Sequence, residues 1–420
     1  MRFQNLDEWL RWQETLHPQL IELGLDRIQQ VFQLLHPEPP PFTVITVGGT
    51  NGKGSSVALL ESIFLHAGYR VGTYTSPHLL RYNERIRIAG QELSDSQLCE
   101  AFQRVDEARG DISLTYFEFG TLAALDLFYL EPLDMVLLEV GLGGRLDAVN
   151  ILDSDVALIT SIGLDHTDWL GEDRESIAQE KAGIMRAGKP VICSDSDIPE
   201  AIYSEANRIG SNLYCLGRDF SYEPQNDHWC WSGRHKEPHS LPFPALAGEH
   251  QLRNAAGVLM VLECLAKSFP VPYAHVQQAL QDMHVSGRQQ IVEAKPAWIF
   301  DVAHNAQSAE ALAALLSTRK AHANTYAIVG MLQDKDIAAV LQPVLPYVSD
   351  WYCVDLAAPR GARGGQIQAA LQTLSPGITS TTCKTVTAAM IELQSLVGED
   401  DQIVVFGSFY TVAEALQRGV

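Results

Sequence analysis

Residues 48–56, GGTNGKGSS, set one lysine and two serines among four glycines directly behind the run VITV at 44–47. A glycine-rich turn between a strand and a helix aims several backbone N–H groups at one spot. The helix N-terminus adds about half a positive charge there. Phosphate is what such a cradle holds: Lys53 would reach the β- and γ-phosphates and Ser55 would ligand magnesium. The spelling departs from the usual signature, which has four residues between its first glycine and the Gly-Lys pair and a hydroxyl residue directly after the lysine. Here Gly48 lies one position too close to Gly52 and Lys53, and Gly54 separates Lys53 from Ser55 and Ser56. A plain tight turn at a helix start is the competing explanation.

Further candidates stand where strands are expected to end, the rim at which open α/β sheets bind ligands. Ser76 follows VGTYT, Glu139 lies within MVLLEVG, His166 follows ITSIGLD, and Lys181 sits in the next helix. An acid inside the apolar run DMVLLEV is costly unless a cation or hydrogen bonds compensate it. A metal would serve, and so would a structural ion pair. A lone His166 is more often a satisfied polar residue than a ligand, although DHTDWLG at a strand exit improves its case. Lys181, on its own, reads as a solvated helix lysine.

To bring such residues together the chain needs parallel strands separated by helices, and its pattern supplies them. Two short amphipathic helices over 6–16 and 26–35 precede HPEPPP, which breaks the pattern. Strands are expected at 43–47, 70–75, 134–140, 155–161 and 190–193, with helices at 53–67, 94–109, 116–130 and 173–186. Continuous apolar strands between amphipathic helices predict a parallel sheet covered on both faces. Residues 213–244, rich in Trp, His and Pro, look like a small antiparallel excursion, and helices over 251–268 and 273–283 follow. The pattern restarts at AWIFDVAHN, with a helix at 306–316 and strands at 326–330, 351–355 and 402–406. The expected fold class is α/β: a P-loop-containing parallel-sheet N-terminal domain, 1–287, and a smaller Rossmann-like α/β C-terminal domain, 288–420.

At 420 residues the chain exceeds the usual size of one core, and 46% apolar content describes a globular protein. Its net charge of −21 opposes a polyanion such as DNA. An anionic small molecule therefore has to be held by a local cluster of cations, amides or metal. The longest apolar runs are too short to span a bilayer. The N-terminal segment carries acids and no apolar signal core, so a cytoplasmic location without membrane partner is expected. Seven cysteines without a C-x-x-C pair read as reduced thiols.

GTNGKGS, with its glycine after the lysine, resembles the folylpolyglutamate synthase/dihydrofolate synthase branch of the Mur-ligase-like ATP-dependent amide ligases. Mur ligases themselves usually carry threonine where Gly54 stands. TSPHLLRYNERIRI, FEFGTLAAL, LLEVGLGGRLDAVN, TSIGLDHTDWLG, QEKAGI, FDVAHN, GMLQDKD and FGSFYTV match segments of that family in order. The match covers nearly the whole chain and is weakest over 213–244. Two departures are mild: Ser286 and Ala306 stand where the family usually has proline.

The resemblance implies a ligase for L-glutamate acting on dihydropteroate and on reduced folates, with ATP as co-substrate and two magnesium ions. It implies ATP contacts from Thr50, Asn51, Gly52, Lys53, Gly54, Ser55, Asn254, Arg288, Asp301 and His304. Asn305 beside His304 reads as a ligand contact or a helix cap. Ser55, Ser76, Glu139, His166 and Lys181 would ligand metal, the last as a carbamate, an anionic oxygen donor suited to a hard cation. Lys53, Lys181 and His166 would be catalytic. The pterin would meet Leu20, Ile21 and Glu22, then Phe117, Glu118, Phe119 and Gly120, then Leu146, Asp147 and Ala148. Phe117 and Phe119 are also readable as core, which is what helical aromatic residues more often are. A monomer is expected. The alternatives are a folylpolyglutamate synthase alone, a Mur-type muropeptide ligase, or a nucleotide-dependent switch without turnover. The extra Gly54, the folate-type FEFGT and the lack of a separate N-terminal UDP-binding segment speak against the Mur-type reading.

Overall fold

A computed structural model describes residues 2–319, 323–358 and 360–419. Two compact units emerge. One holds the chain up to Ala245 together with Gln251–Met283, and the other holds Leu246–His250 and the chain from His284 onward.

The first unit is built on an eight-stranded sheet of β1 (Thr43–Gly48), β2 (Val71–Tyr74), β3 (Ile86–Ile88), β4 (Gln91–Glu92), β5 (Met135–Glu139), β6 (Val156–Ile159), β7 (Pro190–Cys193) and β8 (Asn212–Cys215), in the order β4-β3-β2-β5-β1-β6-β7-β8. From β2 to β8 along that order the strands are parallel. Their residues are mostly Val, Ile, Leu and Thr and, except in the edge strand β8, nearly all are buried, as a sheet covered on both faces demands. The order places the C-terminal ends of β2, β5, β1 and β6 side by side. Whatever follows those four strands must converge.

The small antiparallel excursion is the three-stranded sheet of β9 (Ser221–Pro224), β10 (Trp229–Ser232) and β11 (Pro238–Leu241). The start of the 213–244 segment does not take part in it: residues 213–215 belong to β8, which joins the main sheet in parallel. The hairpin of β3 and β4 and the helix Glu200–Ile209 are additions to the expected elements. The second unit carries β12 (Gln290–Val292), β13 (Ala297–Asp301), β14 (Thr325–Val329), β15 (Asp350–Val354), β16 (Ser380–Cys383) and β17 (Gln402–Phe406), ordered β12-β13-β17-β14-β15-β16 and parallel except for β12.

The core of the first unit joins the N-terminal helices to the sheet's helical layer. Trp9, Ile28 and Val31 pack with Phe102, Phe119 and Leu122. One residue there is out of place: Gln13, in the helix Leu6–Leu16, is 1% exposed, and among the described residues neither its amide oxygen nor its amide nitrogen has a partner. Burying an unpaired amide costs about 1–3 kcal/mol. Gln13→Leu is therefore expected to raise unfolding stability by about 1 kcal/mol or more, read as a higher urea midpoint at unchanged slope. A lower midpoint would mean that the amide is satisfied in solution.

Candidate active site

The glycine loop leaves β1 with Gly49 at φ 147 and Gly52 at φ 88, conformations that side-chain-bearing residues rarely adopt. Its shape is fixed from the next strand. The Thr50 N–H donates to the Ser161 carbonyl at 2.6 Å, and Thr160 Oγ1 donates to the Asn51 carbonyl at 2.7 Å. Thr50 Oγ1 bonds both the carbonyl and the N–H of Gly163, each at 3.0 Å. A Cβ on Gly49 would stand 1.8 Å from Thr160 Oγ1, and one on Gly52 would stand 2.4 Å from Oδ1 of the buried Asn254. Lys53 opens the helix Lys53–His66, and its Nζ donates to the carbonyls of Gly49 and Thr50 at 2.9 and 3.1 Å. Ser55 is buried two residues further on.

Beside the loop, Glu139 ends β5 and is buried, with one carboxylate oxygen accepting the Ser76 N–H at 3.1 Å. A Cβ on Gly54 would lie 3.6 Å from the other oxygen, an ordinary contact. Gly54 is thus not demanded by its own backbone.

Lys181 lies in the helix Arg174–Ala182 and is 3% exposed. The turn after β5 packs directly on it: a Cβ on Gly144 would come 3.2 Å from Lys181 Cα, and the Arg145 N–H donates to the Glu180 carbonyl. Burial, then repulsion from Lys53, bring the Lys181 ammonium down to about 7, against the opposing pull of Asp165 and Asp147. The solvated-lysine interpretation of this residue is thereby overturned. His166 adopts φ 52 at the cap of the short helix Thr167–Leu170, and its Nε2 lies 4.0 Å from Asp165 Oδ1.

Three segments expected to share a ligand do adjoin one another. Arg27 bridges Glu22 and Glu118, donating to the latter at 3.1 Å, and so ties the N-terminal segment to the start of the helix Tyr116–Tyr129. Leu20 is exposed and Ile21 half-buried on that segment. Phe117 lies against the backbone of Gly141, just past Glu139, and stacks with Tyr74 at 6.0 Å. Leu146 is half-buried on the same stretch.

Several expected ligand side chains are otherwise engaged. Phe119 is fully buried among Trp9, Trp12 and Phe102, so its ring belongs to the core and lines no open slot. Glu118 is buried and caps its own helix by accepting the Thr115 N–H at 2.7 Å. The Asp147 carboxylate faces inward, accepting the N–H groups of Leu142 at 2.7 Å and Val149 at 3.1 Å. Burial pushes it up to about 6 despite those bonds. Ala148 is buried in the core, and a Cβ on Gly120 would strike the Tyr82 hydroxyl at 2.4 Å.

In the second unit, Arg288, Asp301 and His304 gather at the end of β13. Asp301 is buried, which pushes its carboxyl upward, while Arg288 and the N–H groups of Gln289 and Ala303 pull it down. The Arg288 guanidinium covers the Phe409 ring at 5.3 Å, and His304 Nδ1 bonds the Val302 carbonyl at 2.7 Å. Asn305 caps the helix Ala306–Thr318 through Ser308, the simpler of its two expected roles.

Against known families, residues 47–262 match the Mur ligase middle domain and residues 287–409 the Mur ligase glutamate ligase domain. Over 98% of its length the chain is 44% identical to the dihydrofolate synthase/folylpolyglutamate synthase of Escherichia coli (strain K12), covering 95% of that protein. The chain belongs to the dihydrofolate synthase/folylpolyglutamate synthase family. The E. coli FolC structure in complex with DHPP and ADP superposes with a TM-score of 0.92, covering 99% of this chain and 97% of that one at 44% identity. The bifunctional folylpolyglutamate synthase/dihydrofolate synthase from Yersinia pestis CO92, complexed with AMPPNP and Mn ion, gives 0.90 at 45% identity, over 99% and 98% of the two chains.

For a member of the dihydrofolate synthase/folylpolyglutamate synthase family, the two glycines flanking Lys53 have separable roles. Gly52→Ala forces a left-handed alanine into Asn254 and is expected to weaken ATP-analogue binding about tenfold or more, the scale of 1–3 kcal/mol of stored strain. Gly54→Ala is expected to stay within about threefold of the parent, since its Cβ meets only ordinary contact. Titration with a fluorescent ATP analogue compares them. Equal losses would contradict the assignment.

One group on this rim is not among the residues expected from the sequence. Arg85 is buried with its guanidinium over Tyr82 at 5.3 Å and Tyr116 at 5.6 Å, and it donates to His78 Nδ1 at 2.8 Å. All four lie within, or across from, TSPHLLRYNERIRI. An arginine among aromatic residues was the available signal.

Proposed function

We propose that this protein is an ATP-dependent ligase that joins L-glutamate to dihydropteroate and to reduced folates. The γ-phosphoryl group passes to the pterin substrate's carboxylate and ADP leaves. The glutamate amine then attacks the acyl carbon, phosphate departs, and the amine gives up a proton as the amide forms. The observation that carries this reading is convergence on one sheet rim: phosphate loop, buried Glu139 with Ser76, buried Lys181, and the aromatic wall of Phe117 and Tyr74.

Among the described residues no three His, Cys, Asp or Glu side chains form a metal cage. The donors proposed around the loop are instead two serine hydroxyls, one carboxylate, one imidazole and the Lys181 position. That sparse, oxygen-rich set fits magnesium, which keeps waters and takes substrate phosphates as ligands. Ser55, Ser76, Glu139, His166 and a carbamylated Lys181 would hold it. When bound, magnesium supplies charge neutralisation at the phosphates. Lys53 and the loop amides of Gly52 and Gly54 orient the phosphates and stabilise charge on the transferring group, while the Thr50 and Asn51 N–H groups donate to Ser161 and hold the loop's shape. Asn254 braces Gly52. Arg288, Asp301 and His304, clustered at one strand end, share the nucleotide as their common ligand.

The pterin lies between the segment of Leu20, Ile21 and Glu22 and the wall of Phe117, with Gly120, Leu146 and Ala148 contributing backbone and contour. Glu118, Phe119 and Asp147 hold that wall in place. A local positive well of loop, lysine and cation lets a chain of net charge −21 bind three anions. Nucleic acid is not among the partners. The protein works as a cytoplasmic monomer, and among the described residues no helix is long and apolar enough to cross a membrane.

Glutamate-dependent ADP release, measured with dihydropteroate, tetrahydrofolate and a UDP-linked muropeptide in turn, tests the reading. Release with both pterins is expected. Release with tetrahydrofolate alone reduces the protein to a polyglutamate synthase, and release with the muropeptide alone overturns the assignment.

A further inference from the structure

We propose that His78 contacts the substrate, its Nε2–H donating a hydrogen bond to the aryl carboxylate that becomes the acyl phosphate, with Arg85 as the positioning residue behind it. The inference rests on the ligase reading above.

The Arg85 Nε lies 2.8 Å from His78 Nδ1. A guanidinium carries only donors and stays protonated. His78 Nδ1 must therefore accept, and the ring's hydrogen resides on Nε2. Which nitrogen carries the proton is usually left open by coordinates, but an arginine donor leaves no choice. Arg85 cannot swing away easily: it is buried, and its guanidinium stands over the faces of both Tyr82 and Tyr116.

The ring's place on the rim gives Nε2–H a use. His78 comes two residues after Ser76, whose N–H holds Glu139, and its ring lies 5.8 Å from that of Tyr82. Tyr82 in turn packs on Tyr116, the neighbour of Phe117 in the aromatic wall. His78 thus stands between the carboxylate end of the site and the pterin wall. It is half-buried, and among the described residues Nε2 has no hydrogen-bond partner. A fixed N–H donor at that position suits an anionic oxygen on the substrate, and it suits the same oxygen as charge shifts during phosphoryl transfer.

Two variants separate this from a packing role. Glutamine carries its amide nitrogen near the position of Nε2, whereas phenylalanine keeps the ring and loses the donor. His78→Phe is expected to lower kcat/KM for dihydropteroate by roughly ten- to hundredfold, the range between one charged hydrogen bond and one preorganised donor, with the KM for ATP unchanged. His78→Gln is expected to recover most of that loss. The 15N imidazole spectrum of the parent should show Nε2 protonated and Nδ1 bare, and Arg85→Met should let the tautomers exchange. Full activity of His78→Phe, an equal loss in both variants, or a protonated Nδ1 in the parent would each overturn the proposal. A parent enzyme that releases no ADP with either pterin fails the ligase reading itself, and this inference with it.

Discussion

Lys53→Ala is expected to lower glutamate-dependent ADP release by about a hundredfold or more, the cost of removing one preorganised donor from developing charge. The residue opens a helix behind a left-handed glycine, so its ammonium and the helix N-terminus act on the same point. In the structure Nζ donates to the Gly49 and Thr50 carbonyls, which keeps the side chain folded over its own loop. Loss of Lys53 should therefore fall on turnover more than on stability. A chemical denaturation midpoint close to the parent's, together with collapsed turnover, is the expected pair of results. Near-normal turnover would reduce the loop to a tight turn.

The second large effect is expected at Lys181. A lysine brought down to about 7 by burial is substantially neutral at neutral pH, and only the neutral amine adds carbon dioxide. The product carries a negative charge, which turns repulsion from Lys53 into attraction and supplies an oxygen donor for a hard cation. Intact mass or density should show the added carboxylate. Lys181→Ala is expected to cost about a hundredfold in turnover, by the same measure of one lost charged group in the site, and short carboxylates such as acetate should restore part of it. Lowering the pH through about 7 protonates the amine, removes the reactive form and should depress activity, with added bicarbonate opposing the loss at fixed pH. An ordered, unmodified ammonium at this position would contradict the carbamate and leave the ligase assignment standing.

What the sequence made legible was whatever is local or periodic. The phosphate loop is contiguous, so its glycines, lysine and serines could be read in place. The parallel strands were visible because burial on both faces makes them continuously apolar. The hairpin of β3 and β4 was not, since Gln91–Glu92 is two polar residues at a sheet edge. Phe117 and Phe119 show a subtler limit. Residues two apart on a helix point to nearly opposite sides, so both could not line one slot, and only burial against Trp9 and Trp12 decides which is core. Glu118 was visible as a carboxylate near a ligand segment, and its commitment to Thr115 is the capping box T-x-x-E, legible in TYFE. The commitment of Asp147 to Leu142 and Val149 depends on a turn that composition does not encode. Lys181 is the clearest case. A helix lysine is normally solvated, and its burial follows from the Gly144 turn packing on its backbone, a contact between residues far apart in the chain.

We propose that one slot presents two different pterins to one phosphoryl donor, because either carboxylate must meet the same γ-phosphate. Product formation should be followed by mass for dihydropteroate and tetrahydrofolate, each alone with ATP and L-glutamate, and then with both present. Each alone should yield its glutamylated product, and each should inhibit the other competitively. Two products formed without mutual inhibition would contradict the single slot, and no glutamylated product from either would contradict the ligase.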